Sequence, residues 1–196
     1  MKKIILLVCL LAGLSSYAQI TNTVPPELLT DDSTYWSITT VSTINYVNTT
    51  PGAYYNTTKS GGGMIVKFKF LNNNRYLFQL YVQANTYGID NESWTNVEGT
   101  VEFTKDDKGQ NIFRTKAEKG IYRITRNGQT TTRAITQEEL KGQHSSTYLW
   151  EKAHLGDDAN NVYLLMVDLK KHPNADVHNH QSIDPSWVSK FHIPAQ

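Results

Sequence analysis

Cysteine is almost absent from this chain: its 196 residues hold one, Cys9, inside the apolar run Ile4–Leu14. Residues 19–196 therefore contain no thiol, which excludes disulfides, a thiolate nucleophile and cysteine-bound zinc or iron–sulfur clusters there. A charge excess is missing too. The chain has 19 basic residues against 18 acidic ones and no basic run, so nucleic acid and anionic lipid find no electrostatic footprint. After residue 18 no apolar stretch approaches the roughly 20 residues of a membrane-spanning helix. There is no Gly-x-Ser-x-Gly, no phosphate loop, no dinucleotide fingerprint and no His-Glu-x-x-His. Nothing in the sequence spells out a reaction.

What is present begins with an export signal. Lys2 and Lys3 precede the apolar run, and Ser15, Ser16, Tyr17 and Ala18 supply a polar end with small residues at the cleavage positions. This pattern predicts a signal peptide over 1–18, cut between Ala18 and Gln19, and a periplasmic or secreted protein. The lysine start and Tyr-Ala-Gln ending resemble signals of Gram-negative bacteria. Loss of Lys2 and Lys3 turns the net charge from +1 to about −1.

Residues 19–34 read as a polar leader containing Pro25-Pro26. From Tyr35 the two-residue period of β-strands dominates. A first strand is expected within 35–47, with Trp36, Ile38 and Ile44 on one face. Met64, Val66, Phe68 and Phe70 share a face; Asn72-Asn73-Asn74 turns the chain, and Tyr76, Phe78, Leu80 and Val82 alternate after it. Further strands are expected at 97–104, 111–117 and 121–126, with turns at Asp106–Gly109, Lys119-Gly120 and Asn127-Gly128. More follow at 129–135, 147–152 and 162–169, the last apolar on both faces. One short helix is expected from the capping box that begins Thr136-Gln137-Glu138-Glu139. Asp184-Pro185 opens a further turn.

Eight or nine antiparallel strands in sequential hairpins predict an all-β meander closing into a barrel over 35–170, because closure removes exposed edges. A two-sheet β-sandwich is the alternative. Residues 171–196 read as a histidine-containing C-terminal extension.

The run Phe68-Lys69-Phe70, Asn74-Arg75-Tyr76-Leu77-Phe78, then Glu98-Gly99-Thr100-Val101-Glu102-Phe103, Asn111-Ile112-Phe113 and Gly120 resembles small bacterial lipocalin-like domains. The match spans about residues 64–121. Asn73-Asn74 stands where that pattern has Asp-Gly, and Tyr35-Trp36 where lipocalins have Gly-x-Trp. The resemblance implies a barrel that holds a small ligand.

Aromatic side chains are the richest material for a site, because ligand cavities need apolar walls and a few polar groups. Trp36, Tyr76 and Trp150 lie in expected strands, whereas Tyr54 and Tyr55 in segment 48–63 and Tyr87 and Trp94 in segment 84–96 lie in expected loops. All six histidines fall after residue 143. Of these, His172, His178 and His180 with Asp176 form a candidate transition-metal set. If 177–180 is extended, His178 and His180 point the same way, about 7 Å apart. No other cofactor is implied. Asp157-Asp158 is the best calcium candidate. Glu102, Arg114 and Arg123 are expected in an outward charge ladder.

The leading expectation is a non-enzymatic β-barrel binding a small, mainly apolar molecule. The alternative is a surface module that binds glycan or protein through its aromatic loops. A third is a hydrolase or metal-dependent enzyme using the C-terminal histidines.

Overall fold

The computed structural model describes residues 23–47, 57–86, 89–156 and 158–195. Nine strands form one sheet: β1 (Trp36–Val47), β2 (Thr57–Leu71), β3 (Arg75–Thr86), β4 (Ile89–Lys105), β5 (Asn111–Arg126), β6 (Gln129–Ala134), β7 (Thr147–Ala153), β8 (Asn161–Asp168) and β9 (Ser189–Pro194). Their order is β4-β3-β2-β1-β9-β8-β7-β5-β6, and β4 also pairs with β5. That extra pairing closes an eight-stranded antiparallel barrel, with β6 attached outside the ring. The barrel expectation holds, and the sandwich alternative is set aside because no edge separates two sheets.

Turn chemistry sets the hairpins. Asn73 and Asn74 take φ of 72° and 58°, and Asn127-Gly128 take 49° and 78°, values that Asn and Gly reach at low cost. Thr136 caps α1 (Gln137–Gln143) in a reciprocal capping box with Glu139.

Three sequence expectations are corrected. Lys119-Gly120 is not a turn, since β5 runs through it. A bulge opposite Glu98/Gly99 absorbs one residue, and Gly120 lies so close to Asn96 O that a Cβ would stand 2.7 Å from it. Consequently Arg114 lies opposite Glu102 and Thr147, while Arg123 lies opposite Trp94 and Thr132. The Glu102–Arg114 rung of the ladder exists, at 3.9 Å in solvent; the Arg114–Arg123 rung does not. Segment 84–96 is not a loop either, because Thr86 pairs with Ile89 and β4 carries Trp94.

The barrel closes with a strand from the C-terminal segment, since β9 joins β8 to β1. The leader also has a structural part. Val24 and Leu28 are buried, Trp36 Nε1 donates to Leu28 O at 3.0 Å, and Lys69 Nζ donates to Asp31 O. Residues 24–34 thus stopper the barrel end where β1 begins.

Inward-facing rings fill the interior above that stopper. Phe68, Phe70, Tyr76, Phe103, Phe113, Trp150 and Phe191 form one buried cluster. Phe103 and Phe113 approach to 5.1 Å and Phe68 and Phe191 to 5.5 Å between ring centroids, the spacing of favourable aromatic pairs. Burial of each such ring contributes about 1.5–3 kcal/mol. Ile135 and Leu140 join this cluster from the segment that leads into and through α1.

Candidate functional site

β8 is apolar on both faces. Leu164 and Met166 point into the barrel, leaving Leu165, Val167 and Leu169 outside, where they need cover. Residues 172–188 supply it. Val177, Ile183, Trp187 and Val188 pack on Val167, Leu149 and Ile112 in a second apolar cluster. This second layer is anchored by polar contacts rather than by strands. Gln110 is buried; its Oε1 accepts from Val177 N at 2.7 Å and its Nε2 donates to Asp106 at 2.8 Å. Lys108 Nζ meets Asp176 at 2.6 Å. Asp176 N donates to Ser182 Oγ at 3.0 Å. Asp184 accepts from Ser186 N and caps the 3-10 turn Pro185–Trp187.

The two layers do not meet everywhere. Between them lies a cleft of about 680 Å³, floored by Leu149, Leu165 and Val167 and roofed by Val177, Ile183 and Val188. Its volume falls in the range of small-molecule sites. Lys105, Gln110, Asn111, Glu151, His178 and Lys190 line it as its polar members, and Trp150 is part of the wall. Trp150 is buried, its ring set edge-on to Phe103 at 5.6 Å, and its Nε1 has no hydrogen-bond partner among the described residues.

Electrostatics around the cleft are partly spent. The Lys108 ammonium, with help from His178 N–H, holds the Asp176 carboxyl below the ordinary carboxylate value, and Asp176 in turn raises Lys108. Lys105, Glu151 and Lys190 join no ion pair among the described residues.

Two of the residues singled out from sequence line this cleft: Trp150 and His178. Trp36 and Tyr76 are fully buried core. Tyr76 OH donates to His144 O at 3.3 Å, and burial, followed by the neighbouring Tyr148, pushes its phenol well up. The expected chamber inside the barrel is thus taken by these side chains and their aromatic neighbours. Trp94 stands on the outer sheet face, 38% exposed, with its ring 4.2 Å from that of Tyr81. Tyr54, Tyr55 and Tyr87 lie outside the described residues.

The described members of the metal set, His172, Asp176 and His178, do not converge. His172 stacks on Trp187 at 4.2 Å with an interplanar angle of 11°, Asp176 is paired with Lys108, and the His180 side chain lies outside the described set. Among the described residues no three His, Cys, Asp or Glu side chains converge. Asp158 is engaged locally by Asn161 Nδ2 at 2.7 Å and Tyr163 OH at 2.6 Å; Asp157 lies outside the described residues.

Sequence reasoning missed the cleft because its roof comes from an irregular segment without periodicity. The two-faced apolarity of 162–169 was the usable signal: an outer face of Leu165, Val167 and Leu169 demands a second layer. No family model matches the chain, nor does any curated protein or solved structure.

Proposed function

We propose that this protein is a non-enzymatic, exported β-barrel that binds a small, mainly apolar molecule in the cleft between its outer wall and residues 177–188. The observation that carries this reading is the 680 Å³ gap between two apolar layers. A cleft of that size leaves apolar wall in contact with water, and a ligand that covers it gains the free energy of that burial. The lipocalin-like resemblance supports a carrier role, with the ligand moved from the barrel interior to its flank. The test uses a neutral apolar fluorophore, N-phenyl-1-naphthylamine. Saturable one-site binding is expected, and Val188→Arg abolishes it while the far-UV spectrum is retained. Unchanged binding to that variant would place the probe elsewhere and end this reading.

A second reading has its own observation. Tyr81 and Trp94 form an exposed aromatic pair on the outer face of β3 and β4, suited to stacking against a sugar ring. Glycan binding that disappears in Trp94→Ala, with cleft binding unchanged, would favour that surface reading.

A further inference from the structure

We infer that the open edge of β1 is a docking edge for the same strand of a second copy of this chain, joining two molecules in one antiparallel ladder. The inference is independent of the cleft outside β7 and β8.

The β1–β9 seam of the barrel is short. β1 pairs with β2 along its whole length, from Trp36 opposite Phe68 to Val47 opposite Thr57. On its other side Ser37 meets His192 of β9, and no pairing follows among the described residues. Gly63, opposite Val41, fixes the direction of the backbone groups past that point. A Cβ on Gly63 would stand 3.1 Å from Thr40 O, so the Thr40 carbonyl points at β2. Backbone groups alternate in direction along an antiparallel strand. Those of Thr39, Val41, Thr43, Asn45 and Val47 therefore point to the open side. An unpaired row of that kind is a template for another strand.

Folded proteins guard such edges with charge, proline, a bulge or a very short strand. β1 has none of these guards. Trp36–Val47 holds no charged residue and no proline, it is 12 residues long, and its register with β2 is unbroken. Ile38, Thr39, Thr40, Val41, Thr43 and Ile44 are β-branched, the side chains that favour strands. Val41 stands 75% exposed beside the edge, where a neighbouring strand would cover it. β6 also has an unbonded side among the described residues, but it is 6 residues long and carries Arg133.

The same lack of charge selects a second copy as the occupant. A two-fold axis brings like residues together, so a charged edge would repel its own copy. This edge has no charge to oppose, and the near-zero net charge of the chain adds little repulsion at a distance. With the axis at Thr43, Thr39 lies opposite Val47 and Val41 opposite Asn45. Every rung then joins two outward-facing residues, and the ladder ends clear of the Ser37–His192 pair.

The test is sedimentation equilibrium of the purified protein over about 5–500 μM, with amide exchange read by NMR at both ends of that range. The weight-average mass is expected to rise from that of one chain toward that of two. The amides of Thr39, Val41 and Thr43 should exchange more slowly in the concentrated sample, while those of Thr40 and Ser42, already bonded to β2, keep their rates. Val41→Lys puts a charge on the edge, and Val41→Pro removes an N–H that faces it without touching the β2 ladder. Each should weaken self-association at least about tenfold with the far-UV spectrum retained. Should either variant misfold, the exchange pattern of the unaltered protein decides alone. A single-chain mass throughout would overturn the inference; protection of the same amides by an added extended Thr-Val peptide would then assign the edge to a foreign strand. A dimer that both variants leave intact, or whose protection falls on β6, would overturn it in favour of another interface.

Discussion

Lys108 Nζ lies 2.6 Å from Asp176 Oδ2, joining the turn between β4 and β5 to the segment that roofs the cleft. The two residues are far apart in sequence, and neither belongs to a strand. Together with the Gln110–Val177 bond beside it, this contact clamps one end of a layer that has no backbone ladder to hold it down. The roof therefore depends on a few side chains, and binding in the cleft is coupled to them.

Lys108→Gln is expected to loosen the roof without unfolding the barrel. Amide exchange across 176–183 should speed up while the global urea midpoint stays unchanged, and affinity for the cleft ligand should fall. The pH dependence follows from the two shifts. Asp176 has a folded pKa below its ordinary 3.8, so its contribution is present above that value and fades as pH drops through the folded one. Lys108 is raised above 10.5, so its contribution persists below that value and is lost on going higher. Wild-type protein at neutral pH is thus fully clamped, and acidification through the folded Asp176 pKa, which lies below 3.8, should reproduce the variant's exchange pattern. Identical exchange in wild type and variant at pH 7 would show that the contact restrains nothing.

Two glycines should respond oppositely to a methyl group. At Gly99, beside the bulge, a Cβ would stand 2.1 Å from Lys116 O and 2.9 Å from Ala117 Cα. Both contacts are with backbone, so β4 and β5 must move apart. Gly99→Ala should destabilise the protein by about 1–3 kcal/mol. At Gly142, near the end of α1, nothing lies within 4 Å. Gly142→Ala should be neutral or stabilise by up to about 1 kcal/mol through helix propensity. Urea midpoints of both variants decide the matter, and equal losses would disprove the close approach at the bulge.

Most of the barrel was legible because its strands carry strict alternation. Phe68 and Phe70 against Lys67 and Lys69 leave one choice of face, and Asn127-Gly128 sits at a true hairpin. The errors arose where local chemistry and pairing disagree. Lys119-Gly120 looks like a turn, yet Gly120 is there because β4 and Ile135 crowd that position. Segment 84–96 is rich in Asn, Thr and Ser. Of the described side chains there only Thr95 is buried, so polar residues on both faces carry no alternation to read.

The site was less legible than the fold. Trp36, Tyr76 and Trp150 are chemically alike as sequence features, and all three rings belong to the buried core; Trp150 differs in lying on β7, whose outward-facing Leu149 floors the cleft. Asp176 and His178 suggested a metal; the lysine that claims Asp176 is 68 residues away, a distance no local pattern can bridge. Leu165 and Val167 announced a covered outer face, but the covering segment folds through individual contacts such as the His172–Trp187 stack.

His144 should make stability depend on pH through one identifiable contact. Its Nε2 lies 2.7 Å from Tyr122 OH; in the Nδ1–H tautomer the neutral imidazole accepts the phenol proton there, and protonation removes that acceptor. Burial lowers its pKa below 6.5, against a smaller opposing pull from Glu139. The unfolded chain, titrating near 6.5, then binds more protons than the folded one between that value and the lowered folded value. Stability rises with pH wherever the unfolded state is the more protonated, so the contribution is complete above 6.5 and is lost as pH falls through the folded pKa. His144→Gln keeps an acceptor near Tyr122, and it preserves the main-chain carbonyl that takes the Tyr76 hydroxyl, but it cannot titrate. Urea midpoints measured from pH 5 to 7.5 should decline on the acid side for wild type and run flatter for the variant. Parallel curves would mean that imidazole protonation is tolerated in the folded state, and that Tyr122 turns its hydroxyl to serve as acceptor.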